Sequence, residues 1–220
     1  MQAGKYASYL ARPLQGTNLS AVLIIHEIYG LNENIRDIAR RFAQVGYVAL
    51  AVDLFSIGRS RALCVLATMR SVYANASKSA HMGALDDAIQ FLQADAQVNA
   101  QRLGVVGFCM GGGYAVALAV HNQQVKAASV FYVSGGPKPL DAVSTICPLV
   151  GSFPEKDFAS TGQGQKLEGL LTQYQRPHDI KFYPDTKHSF FNDTIKAYNP
   201  PAATDAWQRT LGFFEKHIPG

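Results

Sequence analysis

The sequence is short of cysteine, of charge and of long apolar runs, and each shortage excludes something. Only Cys64, Cys109 and Cys147 are cysteine, widely spaced and without a CxxC pair. Neither a zinc site nor a disulfide framework is suggested, so no metal is expected. Free thiols suit a reducing compartment. Charged residues make up 16%, and 20 Lys+Arg against 16 Asp+Glu leave a net charge of +4 with no basic run. Nucleic acid and membrane surfaces are therefore not expected partners, while small anionic substrates stay possible. No apolar run approaches the roughly 18 residues of a spanning helix. The opening MQAGKYASYLARP has no apolar signal-peptide core, which favours the cytoplasm. What is plentiful is apolar surface: 48% of 220 residues, enough for one well-filled domain over 1–220.

Strand-like and helix-like segments alternate. AVLIIHE, YVALAVD, RLGVVGF, AASVFYV, PLVGSF and IKFYP read as strands. They are apolar on both faces, as in a parallel sheet covered on each side by helices. ENIRDIARRFAQVG has Ile35, Ile38, Phe42 and Val45 at helical spacing, with Asn32 to cap its start and Gly46 to close its end. MGALDDAIQFLQ, MGGGYAVALAVHN, LEGLLTQYQ and DAWQRTLGFFEKHI read as further helices. The alternation predicts an α/β fold of three layers. Residues 56–78 are the least regular and fit a loop, a short helical insertion or a lid.

VVGFCMGGG poses the chemical question. GFCMG matches the strand-turn-helix elbow G-x-S-x-G with Cys109 in place of serine. Such a turn is strained, and Gly107 and Gly111 remove side chains that would clash beside it. A helix N-terminus also favours a thiolate. Cys64 and Cys147 lack this context and read as core. Asp157 and His188 follow in the order nucleophile, acid, histidine, each just past a strand end. A parallel sheet opens those loops on the elbow's edge, so His188 can serve as base and Asp157 can orient it. Asp185 lies three residues before His188 and is read as part of its loop. Asp53 either supports the site or caps a loop. His121, His178 and His217 read as surface residues. HEIYG follows the first strong strand; the amides of Ile28 and Met110 are the candidate oxyanion donors. HEIYG is not HExxH, which excludes a zinc-protease reading.

HEIYGLN, AVDLF, GFCMGG and YPDTKHSFFND, in that order and spacing, resemble the dienelactone hydrolase (carboxymethylenebutenolidase) family of α/β-hydrolases. The resemblance runs from about Ala21 through Glu215 and implies an α/β-hydrolase fold. It implies a Cys109–Asp157–His188 triad acting on a small lactone or ester, with no cofactor. It also implies that Glu27 interacts with the thiol: at rest the thiol turns inward to this carboxylate, and substrate turns it outward. Family members that act on dienelactones hold the substrate carboxylate with two arginines. In DLFSIGRSR, Arg59 or Arg61 could supply one; Asn192 stands where the second is expected. Tyr29 and Phe190 are further candidates for substrate contact. The chain is expected as a monomer or weak homodimer. A general esterase or thioesterase for neutral substrates and a thiol sensor without turnover remain open alternatives.

Overall fold

A computed structural model describes residues 1–58, 60–138, 140–157 and 162–219, the side chain of Asp141 excepted. Eight strands form one sheet: β1 (Gln2–Ala3), β2 (Tyr6–Ala11), β3 (Leu19–Ile25), β4 (Val48–Val52), β5 (Val98–Phe108), β6 (Val125–Phe131), β7 (Leu149–Pro154) and β8 (His178–Tyr183). Their order is β1-β2-β4-β3-β5-β6-β7-β8. From β4 to β8 every pairing is parallel, whereas β1 and β2 add an antiparallel edge. The alternation expected from the sequence is therefore present. The two N-terminal strands are an addition to it.

Helices cover both faces. They are α1 (Glu33–Gln44), α2 (Arg61–Asn75), α3 (His81–Gln93), α4 (Met110–His121), α5 (Gln163–Gln173) and α6 (Pro200–His217). In α1, Asn32 caps the start by accepting from the Ile35 amide at 3.1 Å, and Gly46 follows its end at φ 98°. Phe42 of α1 packs edge-on against Trp207 of α6 at 4.6 Å, tying these two helices together. On α4, Met110 to Ala119 are all buried, so it is a core helix with no polar face. It packs against β5, β6, α2 and α3. Residues 61–75, within the irregular stretch, form a 15-residue helix, longer than the short insertion the sequence suggested. Its outward Leu63, Leu66 and Tyr73 are exposed, so no clean apolar stripe marks it as helical. No helix among the described residues is long and apolar enough to cross a membrane.

The chain places β3, moves outward to β4 and then returns to β5 on β3's other side. The carboxyl ends of β3 and β5 thus flank a reversal of strand order, where an open α/β sheet leaves a crevice for ligands. Glu27 follows the first of these ends and Cys109 the second.

Candidate active site

Cys109 joins β5 to α4 at φ 54° and ψ −121°, a strained conformation for a residue with a side chain. The glycines make the turn possible. A Cβ on Gly107 would overlap the Gly111 carbonyl and Ala115 Cβ; one on Gly111 would overlap the carbonyl oxygens of Ile25 and His26. The elbow is therefore pressed against the end of β3. Its backbone is also stitched to β6: the Cys109 amide donates to Phe131 O at 3.1 Å, and Cys109 O accepts from the Ser134 amide at 3.0 Å. Met110 opens α4, where an amide has no acceptor within its own helix. Across the crevice, Ile28 sits in a turn closed by the Gly30 amide donating to Glu27 O at 3.0 Å. The Ile28 amide makes no backbone hydrogen bond among the described residues. Among the described residues both expected oxyanion donors are thus unengaged by the backbone.

Asp157 and His188 come together as expected. Asp157 Oδ2 lies 2.7 Å from His188 Nδ1, and only 3% of the Asp157 side chain is exposed. His188 Nε2 is buried and has no hydrogen-bond partner among the described residues. Burial opposes a charge on this ring, but the bond to Asp157 and the nearby Cys109 sulfur outweigh it and raise its pKa to about 10. The sulfur acts on the ring without being aligned for a formed hydrogen bond. Asp185, by contrast, pairs with Lys156 at 2.8 Å on the surface. It belongs to the loop that presents the histidine.

Glu27 is 2% exposed. Its Oε2 accepts from Ser189 Oγ at 2.6 Å and its Oε1 from Asn192 Nδ2 at 2.5 Å. Burial raises its pKa above the ordinary carboxylate value, and the two donors oppose that rise. Glu27 is held by the turn after His188, and the Cys109 sulfur acts on the histidine ring. Asn192 is only 1% exposed, and its Oδ1 takes the amide and hydroxyl of Thr194 at 3.0 and 2.7 Å. Standing where an arginine was expected, it serves Glu27.

The residues proposed for substrate contact separate. Tyr29 is half-exposed beside the crevice. Phe190 is fully buried against Tyr132 and Tyr183, so it supports the site from behind, a correction to its expected role. Arg61 donates to Asp53 at 2.9 Å, lies over the Phe55 ring and crowds Gly30. It therefore stands near the HEIYG turn with part of its charge engaged. Arg59 lies outside the described residues. Asp53 is the cap of a 3-10 turn, accepting from the Phe55 amide at 3.0 Å. Its burial is outweighed by Arg61 and that amide, which lower its pKa to about 2.

His26 accepts the Leu54 amide at Nε2, 2.9 Å away, so its proton is on Nδ1, which donates to Glu27 O at 2.6 Å. In that tautomer Nε2 has no proton for Asp53, despite their separation of 3.3 Å. The sequence reading gave neither this support of Glu27 nor that of Ser189. Ser189 lay within the quoted HSFFND, but nothing in a sequence says that the turn folds back. The packing of Tyr132 on His188, with ring centroids 5.0 Å apart, was also missed, since an aromatic in an apolar run reads as core. No group of three or more His, Cys, Asp or Glu among the described residues is placed to hold a metal.

A profile of the dienelactone hydrolase family matches residues 6–218. The chain is 31% identical to a Saccharolobus solfataricus protein named as a carboxymethylenebutenolidase, over 96% of this chain and 94% of the relative. It is 30% identical to a Bradyrhizobium protein named as a 2-oxo-3-(5-oxofuran-2-ylidene)propanoate lactonase, over 97% of this chain and 90% of the relative. A crystal structure titled as a dienelactone hydrolase from Klebsiella pneumoniae superposes with a TM-score of 0.85 at 28% identity, covering 96% of this chain and 93% of that one.

Proposed function

Because the chain belongs to the dienelactone hydrolase family, a group of carboxylic-ester hydrolases, we propose that Cys109 is its nucleophile and that a small lactone or ester is its substrate. The observation that carries this reading is His188: one nitrogen is tied to Asp157 at 2.7 Å, and the other is buried, unpartnered and close to the thiol. A buried nitrogen without a partner is costly unless a reacting group uses it.

In the proposed reaction the thiol proton already resides on His188 Nε2, as the raised pKa of the ring favours, and the thiolate attacks the carbonyl carbon. The oxyanion is met by the amides of Ile28 and Met110. The carbon–oxygen bond breaks, and the leaving alkoxide or enolate takes the proton from His188. Water then attacks the thioester while His188 accepts its proton. The carbon–sulfur bond breaks and the thiolate leaves. Asp157 keeps the imidazole oriented throughout. Each Glu27 oxygen still has a free lone pair, so this carboxylate can take the thiol proton in a second, inward conformation.

Turnover of a dienelactone and a panel of aryl esters, with mass spectrometry of the acylated protein, tests this directly. Wild type is expected to gain one acyl mass at Cys109, and Cys109→Ala is expected to lose both the adduct and turnover. Retained turnover in the alanine variant overturns the proposal. A second reading, hydrolysis of neutral esters or thioesters, draws support from Asn192, whose amide is committed to Glu27 and Thr194. Preference for neutral aryl esters over an anionic dienelactone would favour it.

A further inference from the structure

We propose that the Tyr132 hydroxyl is a catalytic hydrogen-bond donor to an oxygen of the bound acyl group, adding a side-chain donor to the backbone amides; this rests on the Cys109 reading above. Tyr132 follows β6 directly and is 1% exposed, with φ 37°. Positive φ at a bulky residue costs about 1–3 kcal/mol and persists only where the surroundings impose it. Here the flanking residues are fixed to the nucleophile, Phe131 through its carbonyl and Ser134 through its amide, both to the Cys109 backbone. The Tyr132 amide is itself spent on Ser152 O at 2.8 Å. The strained backbone thereby delivers the Tyr132 ring to the site.

The ring lies against His188 with centroids 5.0 Å apart and is backed by Phe190 at 5.6 Å. Glu27, Cys109 and Tyr29 all act on the phenol electrostatically, which places its oxygen within their field. Burial, with those groups adding to it, keeps the phenol neutral and therefore a donor. Packing alone would be served by phenylalanine, the residue that precedes it.

Tyr132→Phe removes the oxygen and keeps the ring against His188. Its kcat/KM on p-nitrophenyl acetate is expected to fall about 10- to 100-fold. The rate of Cys109 alkylation by iodoacetamide, which reads the thiolate and builds no oxyanion, is expected to match wild type. A variant with wild-type kcat/KM overturns the assignment, as does one in which alkylation falls in parallel with ester turnover. Cys109→Ala in the same assay separates the two claims. Turnover retained there overturns the nucleophile, whereas turnover lost there but intact in Tyr132→Phe overturns only the tyrosine's role. A wild type inactive on every ester overturns both.

Discussion

His188 and His81 are both largely withdrawn from solvent, and the protein treats them in opposite ways. His81 opens α3 beneath α2, where both of its nitrogens are occupied. Thr68 Oγ1 donates to Cys64 O at 2.7 Å, so it must accept from His81 Nε2 at 2.9 Å. His81 Nδ1 is then the acceptor for the Tyr6 hydroxyl at 2.7 Å. The result is a neutral ring in a closed chain of donors and acceptors, and burial lowers its pKa to about 4. At His188 one nitrogen is left over and the pKa rises to about 10. Burial pushes both rings toward neutrality, so it is the partners that separate them: a phenol and a threonine at one, a carboxylate and a thiol at the other. A completed network supports the fold, and an incomplete one leaves a place for a reacting group.

The largest expected effect breaks the open network. His188→Gln keeps a hydrogen-bonding amide near Asp157 but removes the proton carrier. Ester turnover is expected to fall by about 100- to 10 000-fold. His81→Leu should leave turnover within a few-fold of wild type and cost about 1–3 kcal/mol of stability in urea denaturation, because Tyr6 and Thr68 lose their partner. If His81→Leu abolished turnover without loss of stability, the division between the two networks would be wrong.

How much of this could be read from the sequence depended on how local each cause was. The elbow was legible because its causes are a few residues apart: Gly107 and Gly111 are needed where any Cβ would strike backbone. Asp157 and His188 were legible because a parallel sheet sends successive strand ends to one edge. The role of Asn192 was not legible because spacing from His188 locates it along the chain, while that role depends on a turn that folds back to Glu27. Phe190 suffered the same way: its neighbour His188 faces the crevice, and the turn sends Phe190 inward. Helix α2 hid behind outward-facing leucines. Helix α6 begins earlier than DAWQRTLGFFEKHI suggested, because Asn199 caps it and Pro200 fits its first turn.

Acidity sharpens the contrast with a smaller effect of opposite sign at each ring. For His188 the folded pKa, about 10, exceeds the ordinary 6.5. Its contribution to stability is therefore full below about 6.5 and is lost as pH rises toward 10. For His81 the folded pKa, about 4, lies below 6.5. The unfolded chain takes up a proton first, so its contribution is full above about 6.5 and is lost as pH falls toward 4. In urea titrations across pH, the stability gap between wild type and His188→Gln should narrow on the alkaline side. The gap to His81→Leu should narrow on the acid side. Gaps that narrow on the same side would contradict the assigned charge states.

The smallest expected effect concerns the other buried orphan, Ser134 Oγ, which is fully buried and has no partner among the described residues. Missing a partner is thus not by itself a mark of chemistry. His188 Nε2 has a thiol at hand and a carboxylate behind it, whereas Ser134 reaches Cys109 only through its backbone amide. Ser134→Ala keeps that amide and discards a desolvated hydroxyl. It should stabilise the protein by about 1 kcal/mol and leave kcat/KM unchanged. A loss of stability would mean that the hydroxyl has a partner such as an ordered water. A loss of turnover at constant stability would mean that the reacting cluster extends to Ser134, so that the open network spans the end of β6 as well as Tyr132.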